Sequence, residues 1–198
     1  MWKNIEHGAE PRHDEEDNES TSIETIDNSV YFYTEVSKSS VYELNKELKK
    51  TANSLIATAN LLGIEPPAIQ LHINSPGGSL LDGFAAVDAI RNCKVPVHTI
   101  IEGSAASAAT LMSVVGKQRT INKYGFILIH QLSSKMWGTF EEMKDDMKNA
   151  EVFMKAVNEI YVQNSKIPRN VLKEILKHDL YLDAATALKY GLVDKVGR

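Results

Sequence analysis

The chain has 198 residues, 43% of them hydrophobic and 24% charged, with a formal net charge of −4. That composition belongs to an ordinary globular protein and excludes fibrous or wholly disordered classes, and one hydrophobic core is still efficient at this length. The charge balance speaks against a nucleic-acid partner, and no apolar run approaches the ~20 residues that span a bilayer.

Residues 1–20 carry two basic and seven acidic side chains, leaving the rest of the chain at about +1. With so few apolar groups this stretch cannot bury enough surface to offset chain ordering, so an acidic tail is expected over residues 1–28. The start at Met1 lacks both the basic residues and the apolar run of a secretory signal, and a cytoplasmic location is expected. A lone cysteine, Cys93, excludes an intramolecular disulfide. No Cys or His stands at metal-finger spacing, so neither a metal nor another cofactor is expected.

The folded domain is expected over residues 29–198. Val30 to Val36 is rich in aromatic and β-branched residues and predicts a strand. Val41, Leu44, Leu48, Leu55, Ala59 and Leu62 then recur at helical spacing until Gly63 and Pro66-Pro67 stop the pattern. Ala68 to Ile73, Val95 to Ile101 and Gly125 to Ile129 read as strands, alternating with helices over Leu80 to Arg91 and Ala106 to Val115. This alternation predicts an α/β fold. Thr139 and Glu142 form a capping box before a stripe from Phe140 to Ile160, predicting a projecting helix of about 25 residues. Pro168 starts another helix, Asp183 is the N-cap of a short one at Ala184 to Leu188, and Leu192 to Val196 closes the domain as a strand.

The segment Gly103-Ser104-Ala105-Ala106-Ser107-Ala108-Ala109 joins a strand to a helix with small residues throughout. Such a turn either allows close helix packing or exposes one hydroxyl beside free N–H groups, and Ser107 fits the exposed position best. Upstream, Asn74-Ser75-Pro76-Gly77-Gly78 also links a strand to a helix. If the two turns lie side by side, the N–H groups of Gly78 and Ala108 form a two-donor oxyanion hole.

A serine nucleophile needs a base. His7 and His13 lie in the acidic tail, His72 and His98 fall inside strands, and His178 sits at a basic helix end. His130 ends an apolar strand before a polar loop, where a side chain is delivered to a cleft; taken alone, it reads more readily as a structural histidine. For the carboxylate that orients an imidazole, Asp179 is preferred over Asp183, which already has a capping role, and over the remoter Asp194.

Taken together and in this order, Ile73 to Gly78, Gly103 to Ala109, Ile129-His130-Gln131, Asp179 and Tyr190 to Asp194 closely resemble the Clp protease proteolytic subunit. The resemblance covers roughly residues 30–196. It implies a ClpP/crotonase-like fold of repeated β-β-α units, with the long helix as a handle. It also implies a Ser107, His130, Asp179 triad with Gly78 and Ala108 as oxyanion donors. By the same resemblance, subunits form heptameric rings, stacked in pairs as a tetradecamer, around a chamber. Unfolded polypeptides are threaded into it by a partner AAA+ ATPase.

Residues 1–28 show no match to the family's pore-lining segment, Lys50 to Pro67 is longer than usual, and Ala108-Ala109 replaces a bulkier nucleophile turn. These departures mark a divergent member, and a phage origin is one reading of the divergence. Rival readings are a crotonase-like acyl-CoA enzyme, a non-catalytic scaffold subunit, and a Ser/Lys peptidase using Lys117 or Lys123 as base.

Overall fold

A computed structural model describes residues 23–133 and 137–197. Of the tail expected over residues 1–28, residues 1–22 lie outside the described residues. Part of the segment assigned to that tail is a strand. Ile23–Ile26 form β1, paired antiparallel with β2 (Ser29–Phe32) across a two-residue turn. Asp27 takes φ 55° in that turn, a left-handed conformation that Asp tolerates better than most residues. The alternation Ile-Glu-Thr-Ile is a strand pattern too short to stand out beside the acidic run. It is held by its neighbours: Thr25 Oγ1 donates to Glu47 Oε2 at 2.8 Å.

From β2 the chain enters α1 (Lys38–Leu62), β3 (Ile69–Ser75), α2 (Leu80–Arg91), β4 (Val97–Ala106) and α3 (Ala108–Val114). Then come β5 (Arg119–Ile121), β6 (Phe126–Leu128), α4 (Phe140–Asn164), α5 (Arg169–Ile175), β7 (Tyr181–Asp183), α6 (Ala184–Lys189) and β8 (Lys195–Val196). Ser37 and Ser40 make a reciprocal capping box at the start of α1, and Gly63 closes it in the left-handed conformation at φ 65°. Thr139 and Glu142 do the same at the start of α4, as their spacing predicts.

Among the described residues the sheet runs β1-β2-β3-β4-β5-β8, with β6 paired to β4 and β7 to β6. The β2, β3, β4 and β5 pairings are parallel. Their buried faces supply Val30, Phe32, Ile69, Leu71, Ile73 and Ile101, which pack with Leu44 and Leu48 of α1 and Ala86, Val87 and Ile90 of α2. Burial alternates along these strands, so one face of the parallel sheet packs on α1 and α2 and the other is only partly covered. On the other side of β3, His72 Nδ1 meets Glu102 Oε1 at 2.9 Å and stacks on Tyr31 with ring centroids 4.5 Å apart. Burial and the hydrogen bond to Glu102 push the Tyr33 hydroxyl up to about 12.

Strand β4 is longer than its apolar run predicts, and it has two partners on one side. Thr99 to Ile101 pair with β5, whereas Ser104 to Ala106 pair with β6. The switch falls at Gly103, which takes φ 76°, a value that only glycine adopts without strain. An added Cβ there would lie 2.9 Å from Asn74 Oδ1, the atom that accepts from Ser104 N–H at 3.2 Å. The polar sequence after Ile101 hides this continuation, and β5 was not expected from its three residues.

Helix α4 projects as its length predicts. Residues 140–149 are all exposed, and burial begins only at Val157. No helix among the described residues is long and apolar enough to cross a membrane.

At the far edge, Arg119 clasps the C-terminal segment. Its Nη2 lies 2.5 Å from Asp194 Oδ1, its backbone N–H donates to Asp194 Oδ2 at 2.8 Å, and its Nη1 donates to the carbonyls of Asn164 and Gly191. The Arg119 hydrogen bonds hold the Asp194 carboxyl below its ordinary value of 3.8. A depressed carboxyl stabilises the folded state fully above that ordinary value and loses the contribution as pH falls through the lower folded-state value. Asp194→Asn is therefore expected to cost about 1 kcal/mol at pH 7, an amount discounted for partial exposure. In urea unfolding the gap from wild type should close in acid; a gap that persists at the acid limit would refute the assignment.

Candidate active site

Ser107 is the residue between β4 and α3. Its backbone stands at φ 52°, ψ −125°, and its side chain makes no capping hydrogen bond. A non-glycine residue there is strained by about 1–3 kcal/mol, which the surroundings must over-determine. They do so through Ser107 N–H, which donates to Leu128 O at 2.8 Å, and through the Ser107 carbonyl, which accepts from Thr110 N–H at 3.0 Å. The hydroxyl is thereby left facing outward.

His130 reaches it because of the sheet. Ala106 is the partner of Leu128 in the β4–β6 pairing. One residue beyond the first strand is Ser107 and two beyond the second is His130. His130 Nε2 lies 2.8 Å from Ser107 Oγ. The antiparallel β6–β7 register, with Leu128 opposite Tyr181, extends in the same way to bring position 130 against position 179. His130 Nδ1 lies 3.0 Å from Asp179 Oδ1. With Asp179 ionised, Nδ1 carries the proton and Nε2 is the acceptor for the serine hydroxyl.

The Asn74 to Gly78 turn closes the other side. Val36 pairs with the turn through Gly77 O and Ser79 N–H. Gly78 N–H is left without an acceptor among the described residues. Gly77 sits against the Ser107 turn so closely that an added Cβ would lie 2.5 Å from Ala106 O and 2.6 Å from Ser107 Cβ. On the next helix, a Cβ at Gly83 would lie 3.1 Å from Ala108 Cβ, which explains the small residue after Ser107. Gly78, Ser107, Ala108 and His130 line one cleft of about 400 Å³, with Leu80, Leu111, Val157 and Tyr161 among its apolar walls.

The alternative carboxylates are committed elsewhere. Asp183 Oδ1 accepts from Thr186 N–H at 2.8 Å as the cap of α6, and Asp194 is held by Arg119. Neither Lys117 nor Lys123 lines the cleft; the Lys123 ammonium lies 5.3 Å from the Tyr124 ring centroid. His72 and His98 are engaged with Glu102 and Gln70. Thr110 and Tyr161 have no counterpart in the sequence reading. A threonine in a small-residue helix and a tyrosine at the end of an apolar stripe give no local sign that they meet.

A family model described as Clp protease matches residues 25–198. The chain belongs to the Clp protease family. The ATP-dependent Clp protease proteolytic subunit of Deinococcus radiodurans is 32% identical over 149 residues, covering 73% of each chain. The subunit of that name from Cuscuta reflexa is 33% identical over 153 residues, covering 74% of this chain and 75% of its own. As a Clp protease family member the chain is a serine-type endopeptidase by class, and the crotonase reading is set aside. The fold is that of the family, with helix-covered parallel strands feeding the Ser107 turn.

Gly77→Ala tests how tightly this Clp protease site is built. The substitution meets a backbone oxygen and Ser107 at a φ of 93°, and it is expected to cost at least about 2 kcal/mol. Urea denaturation with a midpoint equal to wild type would show that the two turns are not in close contact.

Proposed function

We propose that this chain hydrolyses peptide bonds by acyl transfer to Ser107, with His130 as general base and then acid and Asp179 as the orienting carboxylate. The reading is carried by one observation: a serine hydroxyl 2.8 Å from an imidazole that is itself 3.0 Å from a carboxylate. In the first step Ser107 Oγ attacks the carbonyl carbon while Nε2 takes its proton, and the carbonyl oxygen becomes an oxyanion facing Gly78 N–H and Ala108 N–H. Collapse breaks the C–N bond, and Nε2 returns the proton to the leaving amine. Water then attacks the acyl-enzyme with His130 again as base, releasing the carboxylic acid and restoring Ser107. Asp179 stays ionised and stabilises the imidazolium formed in each half. Only side chains, backbone N–H groups and water take part in these steps.

The preferred substrates are unfolded polypeptides. The cleft of about 400 Å³ has room for a short extended segment of chain rather than a folded surface. We further propose homo-oligomeric rings, heptameric and stacked in pairs, with the sites facing an inner chamber. The exposed half of α4 supports this. It displays Phe140, Met143 and Met147 with exposures of 67, 39 and 54%, a row of apolar side chains at i, i+3 and i+7 that a second subunit would cover. The curated relatives are named as ATP-dependent. A partner ATPase that unfolds and feeds substrate follows for this chain by that similarity.

Labelling with a fluorophosphonate probe followed by peptide mapping tests the core of this reading. A label on Ser107 that vanishes in Ser107→Ala and in His130→Ala is expected. Absence of labelling in an oligomer of verified ring mass would favour a non-catalytic scaffold instead. Asp179→Asn keeps the shape but removes the anion, so kcat on a fluorogenic peptide is expected to fall about a hundredfold or more. Unchanged kcat would remove Asp179 from the triad.

A further inference from the structure

Tyr161 is the largest buried side chain near the cleft whose polar atom the reaction above does not use. It lies near the end of α4, 2% exposed. Its hydroxyl hydrogen-bonds Thr110 Oγ1, and Thr110 Oγ1 in turn donates to Ser107 O at 2.6 Å. A threonine hydroxyl has a single proton. Because that proton goes to the Ser107 carbonyl, Thr110 must accept from Tyr161, and the chain of donors runs from Tyr161 to Thr110 to the nucleophile's own carbonyl. Burial raises the Tyr161 ionisation well above its ordinary range, so the phenol remains a donor wherever the enzyme works.

The Ser107 carbonyl is half of a peptide plane whose other half is Ala108 N–H. The described backbone contains no cis peptide bond, so the N–H points opposite to the carbonyl within one rigid unit. Thr110 also donates its backbone N–H to the same oxygen, at 3.0 Å. Two donors on one face of the plane fix the direction of the N–H on the other. Without them, a strained residue at φ 52° has a route to relax by rotating the plane.

We propose that Tyr161 and Thr110 are positioning residues that hold the Ser107–Ala108 peptide plane so that Ala108 N–H faces the developing oxyanion. The inference rests on the triad reading above and adds to it two residues outside the triad, one of them on α4. An N–H aimed at the oxyanion acts in the transition state and not in the ground state, so its loss appears in kcat and spares KM.

The test uses the assembled enzyme with a fluorogenic peptide and a peptide boronate that forms a tetrahedral adduct on serine. Tyr161→Phe keeps the packing and removes only the hydroxyl. It is expected to lower kcat and boronate affinity together, each about fivefold, with KM within about twofold of wild type. Thr110→Val should lower them further, Thr110→Ser should restore them, and adding Tyr161→Phe to Thr110→Val should cost nothing more. Kinetics and boronate affinity of Tyr161→Phe equal to wild type would overturn the proposal while leaving the triad standing. Losses that add independently in the double variant would overturn it too. A wild-type enzyme without Ser107-dependent turnover would overturn the triad reading and this inference with it.

Discussion

The site depends on the divided pairing of β4. A strand that kept one neighbour along its whole length would end in the plane of that neighbour, with no room for a second segment beside its tip. Here the first half of β4 pairs with β5 and the second with β6, and the change is made at a glycine with φ 76°. The tip of β4 therefore emerges between two other chain segments, the Asn74 to Gly78 turn on one side and the end of β6 on the other. Ser107 is placed there by backbone hydrogen bonds rather than by its own side chain, which leaves the hydroxyl unspent.

Strain and support are matched at this point. The unusual dihedrals of Ser107 are held by Leu128 O, by Thr110 and, through Thr110, by Tyr161. Each comes from a different element, so no single local interaction sets the geometry. Close packing supplies the rest. Gly77 and Gly83 allow the α2 end of the molecule to approach the Ser107 turn to distances that a side chain would forbid. The result is a close-packed wall behind the cleft, while Asp179, 77% accessible in the side chain, approaches His130 from outside it, beside the polar loop after His130.

Much of this was legible in the chain itself. The α/β alternation, the capping box at Thr139, the length of α4 and the Asp183 cap all follow from local spacing, because hydrophobic period and cap chemistry act within a turn or two. The candidate residues Ser107 and His130 were visible as a small-residue turn and as a polar residue ending an apolar strand. What was missed has a common cause. Strand β1 and strand β5 are too short to carry a periodic signal, and both exist through pairing, β1 with the equally short β2 and β5 between β4 and β8. The extension of β4 past Glu102 was hidden by glycine and serine, whose strand conformation comes from pairing with β3 and β6 and not from propensity.

The sequence by itself determined the order and type of the main elements, the family resemblance and a short set of chemically able residues, because those are written in local patterns and residue identities. Tertiary structure alone decided which of them meet. Asp179 stands opposite His130, while Asp183 and Asp194 are engaged by a helix terminus and by Arg119, because the β6–β7 register and the Arg119 clasp place them so. Tyr161 reaches Thr110 across 51 positions of chain for the same physical reason. Contacts between distant segments are set by strand register and helix packing, and neither is encoded within any window of neighbouring residues.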